Sequence, residues 1–472
     1  AAWEKWALPN KLSLGFNEGM ITPAVGASTV SRGVRLGYGV GSFCTATVST
    51  VPGLLLLYYM TNFLAVPPWL AGVVVTAPKV WDLVLNPLIG RWSDRTRSRL
   101  GPRRPWLLAG ACTLPIAFFL VFAGPPLTGV PAALYVGVCF LVTATAYALF
   151  EVPYKAMPGE MTHDYHERTS LLQWRMVFIG AATAVSGVLA PAIVTSQGDH
   201  GTLDSYRLMA TVIAVILLLA MLGSFFGTAR APMTGAPEAD RGGWREQFAA
   251  IKGNRPFLWL TMLACTQMLA VSMMLAAAPY FAAYTLGSPK ATQTLFAALV
   301  GPILLTMPLW VRLARRFDKR GAMILAALLY AGGTTAALAT PVLGIVWAHV
   351  TILVVGVGYA GVQLLQFSML ADVIAVDAAE TGKRRAGVLT GLWTAIESGV
   401  SAFGALIFGV ILSIGGFIES EPSRPVEQPD SAVTAVLIGQ TAVPALIIFL
   451  SVLMTLKYRL TPPGAPAPDA SA

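Results

Sequence analysis

A chain of 472 residues in which 56% are hydrophobic and only 12% charged is not an ordinary water-soluble domain, where about a quarter of residues carry charge. Its length and composition place it in a bilayer, and its net charge of +9 argues for a nucleic-acid partner only if the basic residues share one surface. The four cysteines (Cys44, Cys112, Cys139, Cys265) lie in apolar stretches without metal-ligand spacing and read as free, packed thiols.

A helical crossing needs about 20 apolar residues. Residues 1–35 form a tail without a cleavable apolar leader, so no signal peptide is expected. The charge-free block 36–78 is interrupted at Pro67-Pro68, and the block 105–150 at Gly124-Pro125-Pro126, so each holds two crossings. Single crossings follow at 171–197 and 207–228. Residues 229–255, rich in Gly, Pro and charge, read as a linker. Beyond it lie crossings at 256–286 and 291–311, a double block at 321–371 interrupted between Pro341 and Gly344, and crossings at 387–416 and 433–456. The Pro/Ala-rich end, 458–472, is expected to be disordered. The expected fold is an all-α membrane protein with twelve transmembrane helices in two six-helix halves, 36–228 and 256–457.

The loops orient this arrangement. Of 32 Lys and Arg, 26 fall on one side, whereas Arg207, Lys290 and Arg424 fall on the other. The basic side, including six arginines at 91–104, is the cytoplasmic one, and both termini belong to it. The positive charge is therefore topogenic, and no nucleic-acid partner is expected. Pro87-Leu88-x-x-Arg91 recurs as Pro308-Leu309-x-x-Arg312, at matching places in the two halves, as parallel repeats require.

Lys79, Lys155 and Arg175 remain within the crossings. Charges in hydrocarbon are costly, so they are expected to face a polar pathway. Lys79 and Asp82 are spaced i, i+3, and Glu151 and Lys155 i, i+4, so each pair shares a helix face. With Arg175 these five groups are expected to converge on one cavity. The competing reading is a set of structural ion pairs that only fix helix register. Glu397 is the one carboxylate at mid-membrane in the second half. His349 reads as a packed residue, His163 and His166 as loop residues, and Gly356-x-Gly358-x-x-Gly361 as close helix packing. No nucleophile–base pair, phosphate loop or metal cluster is evident, so an enzyme is not expected.

The motifs Trp81-Asp82-x-x-x-Asn86-Pro87-x-x-Gly90 and Thr96-Arg97-Ser98-Arg99-x-Gly101-x-x-x-Pro105-Trp106 resemble the glycoside–pentoside–hexuronide:cation symporter family of the major facilitator superfamily, typified by melibiose permease. Glu151-Val152-Pro153-Tyr154, Glu160-Met161-Thr162, Glu167-Arg168-Thr169, and Ala371-Asp372-Val373-Ile374 with Thr381-Gly382-Lys383-Arg384-Arg385-Ala386-Gly387 extend the likeness. The resemblance implies cation-coupled symport by alternating access in the inner membrane, without a cofactor beyond a coupling ion, H+ or Na+. It implies a small-molecule substrate, a monomer in the lipid bilayer, and substrate contacts at Glu151, Lys155, Arg175, Trp174 and Glu397. Cation coupling is implied at Asp82, Asn86, Lys79 and Glu151, and gating salt bridges across the halves at Asp94, Arg95, Arg99, Asp372 and Arg384.

Departures from the family pattern sharpen these expectations. Asn86 stands where the family has a second aspartate, and Ala148 where it has a threonine, so fewer hard oxygen ligands remain and a proton is expected rather than sodium. Ala46 and Lys155 replace a sugar-binding aspartate and a stacking tryptophan, which moves the expected solute from a neutral galactoside to a glycoside or sugar acid such as a hexuronide. A lysophospholipid is the alternative cargo, favoured by a long apolar groove. A sensor that has lost transport is the alternative class.

Overall fold

The computed structural model describes residues 30–162, 164–198, 201–232, 254–382, 385–421, 426–458 and 460, and it is built of helices. Most of the two tails, the core of the expected linker and Arg384 lie outside the described residues. Before the linker come α1 (Arg32–Val40), α2 (Ser42–Phe63), α3 (Pro68–Arg95), α4 (Arg104–Phe122), α5 (Gly129–Met161), α6 (Tyr165–Val194) and α7 (Leu203–Gly227). After it come α8 (Arg255–Tyr280), α9 (Ala291–Ala336), α10 (Thr340–Thr381), α11 (Ala386–Ser401), α12 (Phe403–Ile414), α13 (Asp430–Gln440) and α14 (Ala442–Lys457). Among the described residues, ten helical stretches are long and apolar enough to cross a membrane.

The helix starts are written locally. Ser31 accepts from Val34 N, Asp164 from Glu167 N and Asn254 from Phe257 N, while Thr202 and Ser205 form a capping box. Each satisfies amide donors that the first helical turn leaves unpaired. Ends are marked by residues that leave helical geometry, such as left-handed Gly382 after α10.

One boundary differs from expectation. The basic run 312–320, expected as a loop, continues α9 as helix because Ala, Leu and Arg favour that state. The chain turns instead at Asp318 (φ 68°, ψ 155°), whose carboxylate accepts from Lys319 N at 2.7 Å, the first amide of the second arm. The break expected between Pro341 and Gly344 is found at Gly344, where φ of 78° bends α10. All four cysteines are free.

Helices from the two sides of the linker lock together at one end of the molecule. Thr61 and Tyr280 share a 2.6 Å hydrogen bond, and Tyr284 donates to Asn62. Ser420 exchanges backbone hydrogen bonds with Thr61 and Ala65, and Thr76 donates to Ala402 O at 2.9 Å. Between α3 and α12 the backbones touch: a Cβ at Gly72 would lie 2.9 Å from Leu406 Cα. In α10, Gly356, Gly358 and Gly361 face α9 at similarly short range, with a Cβ at Gly358 only 2.5 Å from Tyr330 N. The expected close packing of this glycine run is what the helix pair displays, because side chains there would force α9 and α10 apart.

At the other end every described ion pair stays on its own side of the linker. Arg103 pairs with Asp94 at 2.6 Å and with Glu160, and donates to Ser93 Oγ at 2.6 Å. Burial opposes the Arg103 charge, yet the bonds to Glu160 and Asp94 outweigh it and hold the guanidinium above its usual range. Lys319 pairs with Asp372 at 2.5 Å. Among the described residues the molecule is pinned at one end and unlatched at the other.

Candidate functional site

α2, α5 and α6 converge on Glu151. Its carboxylate is 3% exposed and receives three partners: Thr45 Oγ1 at 2.7 Å, Lys155 Nζ at 3.1 Å and Arg175 Nη2 at 3.2 Å. The i, i+4 spacing brings Lys155 onto the Glu151 face of α5, with the acid on the N-terminal side, the orientation in which such a pair closes best. Behind this cluster Tyr154 stacks on Tyr38 with ring centres 4.5 Å apart. The Tyr154 hydroxyl donates to Tyr38 O and shares a 2.8 Å hydrogen bond with Ser42. Arg175 also lies over the Tyr154 ring, 5.9 Å from its centre. Rigid aromatic walls thus hold α1, α2 and α5 around one buried carboxylate.

The cluster is not fully satisfied. Arg175 Nε and the Tyr38 hydroxyl are buried without a hydrogen-bond partner among the described residues. Buried donors are normally paired, so each such group calls for a reason. Lys155 is only half covered, its side chain 47% exposed. The arrangement presents spare donors beside a carboxylate that already carries two cations.

Lys79 and Asp82 do not form the expected pair: among the described residues no ion pair joins them. With the lysine N-terminal to the acid the order is the less favourable one, since side chains lean toward the helix N-terminus and Lys79 reaches away from Asp82. Asp82 Oδ1 is instead buried without a partner. The charges that reach Asp82 come from Lys79 and Lys155, so Lys155 acts on both carboxylates. Tyr147, one turn before Glu151, also lies within electrostatic reach of both. Asn86 is exposed, and Ala148 packs with Leu85 and Ile89 as plain core.

The other expected residues separate from this group. Trp174 remains exposed, its ring 6.3 Å from Phe178. Glu397 sits on α11 across the molecule, where its charge reaches Tyr359 and Cys265. Among the described residues, which exclude Arg384, no expected gate pair joins the halves: Asp94 is held by Arg103, Asp372 by Lys319, and Arg95 and Arg99 are exposed. Shorter-range cations on the same side of the linker satisfy both aspartates.

Sequence reasoning missed Thr45, Tyr38, Tyr147 and Arg103. Thr45 carried a usable signal, a hydroxyl beside Ala46, where the family places a binding aspartate. Arg103 was hidden among five other arginines of a basic run.

Between the two sets of helices lies a cavity of about 710 Å³, walled by α2, α6, α8, α9, α10 and α13. Its wall is mostly aliphatic and aromatic, with Met274, Leu275, Phe296, Leu299, Ile303 and Phe367 prominent. Ser49, Thr50, Thr183, Gln363 and Gln440 contribute polar atoms, and among the described residues no acidic or basic one lines it. The Glu151 cluster stands one helical turn away: Thr45 precedes Ser49 on α2, and Arg175 precedes Ile179 on α6, with Ser49 and Ile179 both in the wall. Among the described residues no three His, Cys, Asp or Glu side chains gather as a metal site.

A family model described as MFS/sugar transport protein matches residues 37–462. The inner membrane symporter YicJ of Escherichia coli (strain K12) is 26% identical over 436 residues, covering 90% of this chain and 91% of its own. The putative glycoside/cation symporter YagG of the same organism is 27% identical over 438 residues, covering 90% and 92%. Among solved structures, that of a D-xylose-proton symporter matches with a TM-score of 0.64 at 17% identity, over 90% of this chain and 96% of its own. This last likeness speaks to the fold.

Proposed function

The chain belongs to the MFS/sugar transport protein family, and from that premise we propose that it carries a solute with an anionic or hydroxyl-rich head, a glycoside or sugar acid, together with a proton by alternating access. It is a multi-pass inner membrane transporter, a cation-coupled symporter and not an enzyme. Our reading is twelve crossings with both termini cytoplasmic: breaking Leu305–Thr381 at Asp318 and Gly344 into three, and joining the first piece to Ala291–Ile303, supports that number, and the basic loops support the orientation.

One observation carries the proposal: Glu151 is buried, shared by Arg175 and Lys155, and neighboured by unpaired donors. A head group that binds Arg175 Nε and Lys155 competes with Glu151 for its cations. Released from them in a low-dielectric site, Glu151 takes up a proton. Asp82 lies within electrostatic reach of the same Lys155, so on this proposal the same event links solute binding to the proton. Asn86 and Ala148 supply less anionic oxygen than sodium requires, which supports the proton. The pinned and unlatched ends support alternating access.

The test is reconstitution in proteoliposomes with the external pH recorded. Adding glucuronate or an aryl glucuronide to unbuffered vesicles should alkalinise the medium, and uptake should stop when a protonophore collapses the gradient. Uptake that follows an imposed sodium gradient and ignores the protonophore would falsify the proton reading.

A further inference from the structure

We infer that the solute is amphipathic, with an acidic head at the Glu151 cluster and a compact apolar body of fused-ring size in the adjoining cavity. This deepens the proposed function and rests on its placement of the head. Three observations lead to it. First, the cavity measures about 710 Å³, within the range of sites for drug-sized ligands, and at protein packing density a bare hexuronic acid fills less than about half of it.

Second, the wall has the wrong chemistry for a sugar. A sugar ring presents hydroxyls all round, each of which loses water on entry and needs a partner. The polar atoms here are sparse and in part engaged: Gln363 donates to Tyr359 at 2.6 Å, and the Tyr330 hydroxyl is turned to Met274 sulfur. Leu299, Ile303, Met274 and Phe367 offer nothing to a hydroxyl and much to a hydrocarbon.

Third, the charges lie beside the cavity rather than in it. Arg175 and Thr45 are each one turn from a wall residue, so a molecule with its acid at Arg175 projects its remaining bulk against Ile179 and Ser49. Six helices from both sides of the linker surround the space. A compact fused-ring body touches several of these walls at once, which a single extended acyl chain does not.

Gly180 supplies the test. It lines the cavity, and a Cβ there meets nothing within 4 Å, so Gly180→Leu adds bulk to the cavity from a position with open space at its first carbon. Val177→Trp does the same from an exposed position of the wall. Binding of glucuronate, 1-naphthyl glucuronide and a lysophosphatidate is measured by competition on the full-length protein in nanodiscs. The naphthyl conjugate should bind at least about tenfold more tightly than glucuronate, as expected from burying its rings. Gly180→Leu and Val177→Trp should each remove that gain and leave glucuronate binding unchanged, whereas Arg175→Gln weakens both ligands. Equal affinity for the two glucuronates, no effect of either filling substitution, or no binding of the conjugate would overturn the inference. Tighter binding of the lysophosphatidate than of the conjugate would overturn it in favour of an acyl body. In each of these cases the proposed function is judged separately, by proton movement on glucuronate addition and its loss in Arg175→Gln.

Discussion

The helices before the linker and those after it share a plan but not a chemistry. α2, α5 and α6 gather Glu151, Lys155 and Arg175, with Asp82 close by on α3. The later helices offer one acidic group in a comparable position, Glu397, and otherwise contribute apolar wall. The same contrast holds at the unlatched end. Arg103 and Glu160 form a buried pair, which the exposed Asp94 joins at its edge, while Lys319 and Asp372 form a pair with side chains 35% and 40% exposed. A fold that repeats its helices need not repeat its charges, and on our proposal the side with the denser charge network is the place where ion and solute are linked.

The sharpest way to break this comparison is at Arg103. Replacing it by leucine leaves Glu160 buried opposite an apolar side chain, and removing one partner of a buried pair costs about 3–5 kcal/mol. Arg103→Leu should therefore lower the melting temperature of the purified protein well beyond any other single change considered. A melt unchanged from the parent would show that the network contributes no more than its exposed counterpart. Next in size is Glu151→Gln. It keeps the shape and removes the proton site and the counterion of two cations, so concentrative uptake should fall at least about tenfold while solute exchange across equilibrated vesicles persists. Parallel loss of exchange would assign Glu151 to binding alone.

How much of this was legible beforehand follows from what periodicity and charge can encode. Helix positions were readable because apolar runs of crossing length, and the prolines and glycines that interrupt them, are local signals; the caps at Ser31, Asp164 and Asn254 are equally local but were not used. Glu151 with Lys155 was readable because an i, i+4 pair is local. Thr45 on α2 and Arg175 on α6 lie 106 and 24 residues from Glu151, and only packing decides that they share its carboxylate. The gate illustrates the converse: Asp94 and Asp372 have the composition of a cross-linker, yet each is closer to a cation on its own side. The apolar cavity left no mark at all, because a leucine facing a cavity and one facing lipid are the same letter.

A smaller effect is expected at Asp82. It receives charge from Lys79 and Lys155 without a direct bond, so Asp82→Asn should change coupling more than binding. Concentrative uptake should fall about fivefold, the lower end of typical coupling energies, and the pH dependence of uptake should flatten. Retention of the full pH profile would transfer the whole coupling role to Glu151 and narrow the comparison to one residue.

The smallest effect, and the cleanest control, is at Lys319. Its partner Asp372 is partly solvated, and exposed ion pairs contribute about 0–1 kcal/mol because water and salt screen them and two long side chains must be held still. Lys319→Leu should therefore shift the melt only slightly, and added salt should erase what shift there is, since screening reaches this pair but not the buried one around Arg103. The two variants differ in side of the linker and in burial but not in kind: each removes one cation from an aspartate at the unlatched end. A Lys319→Leu melt as low as that of Arg103→Leu would mean that both halves are latched with equal strength, and the asymmetry would then lie in the solute site alone.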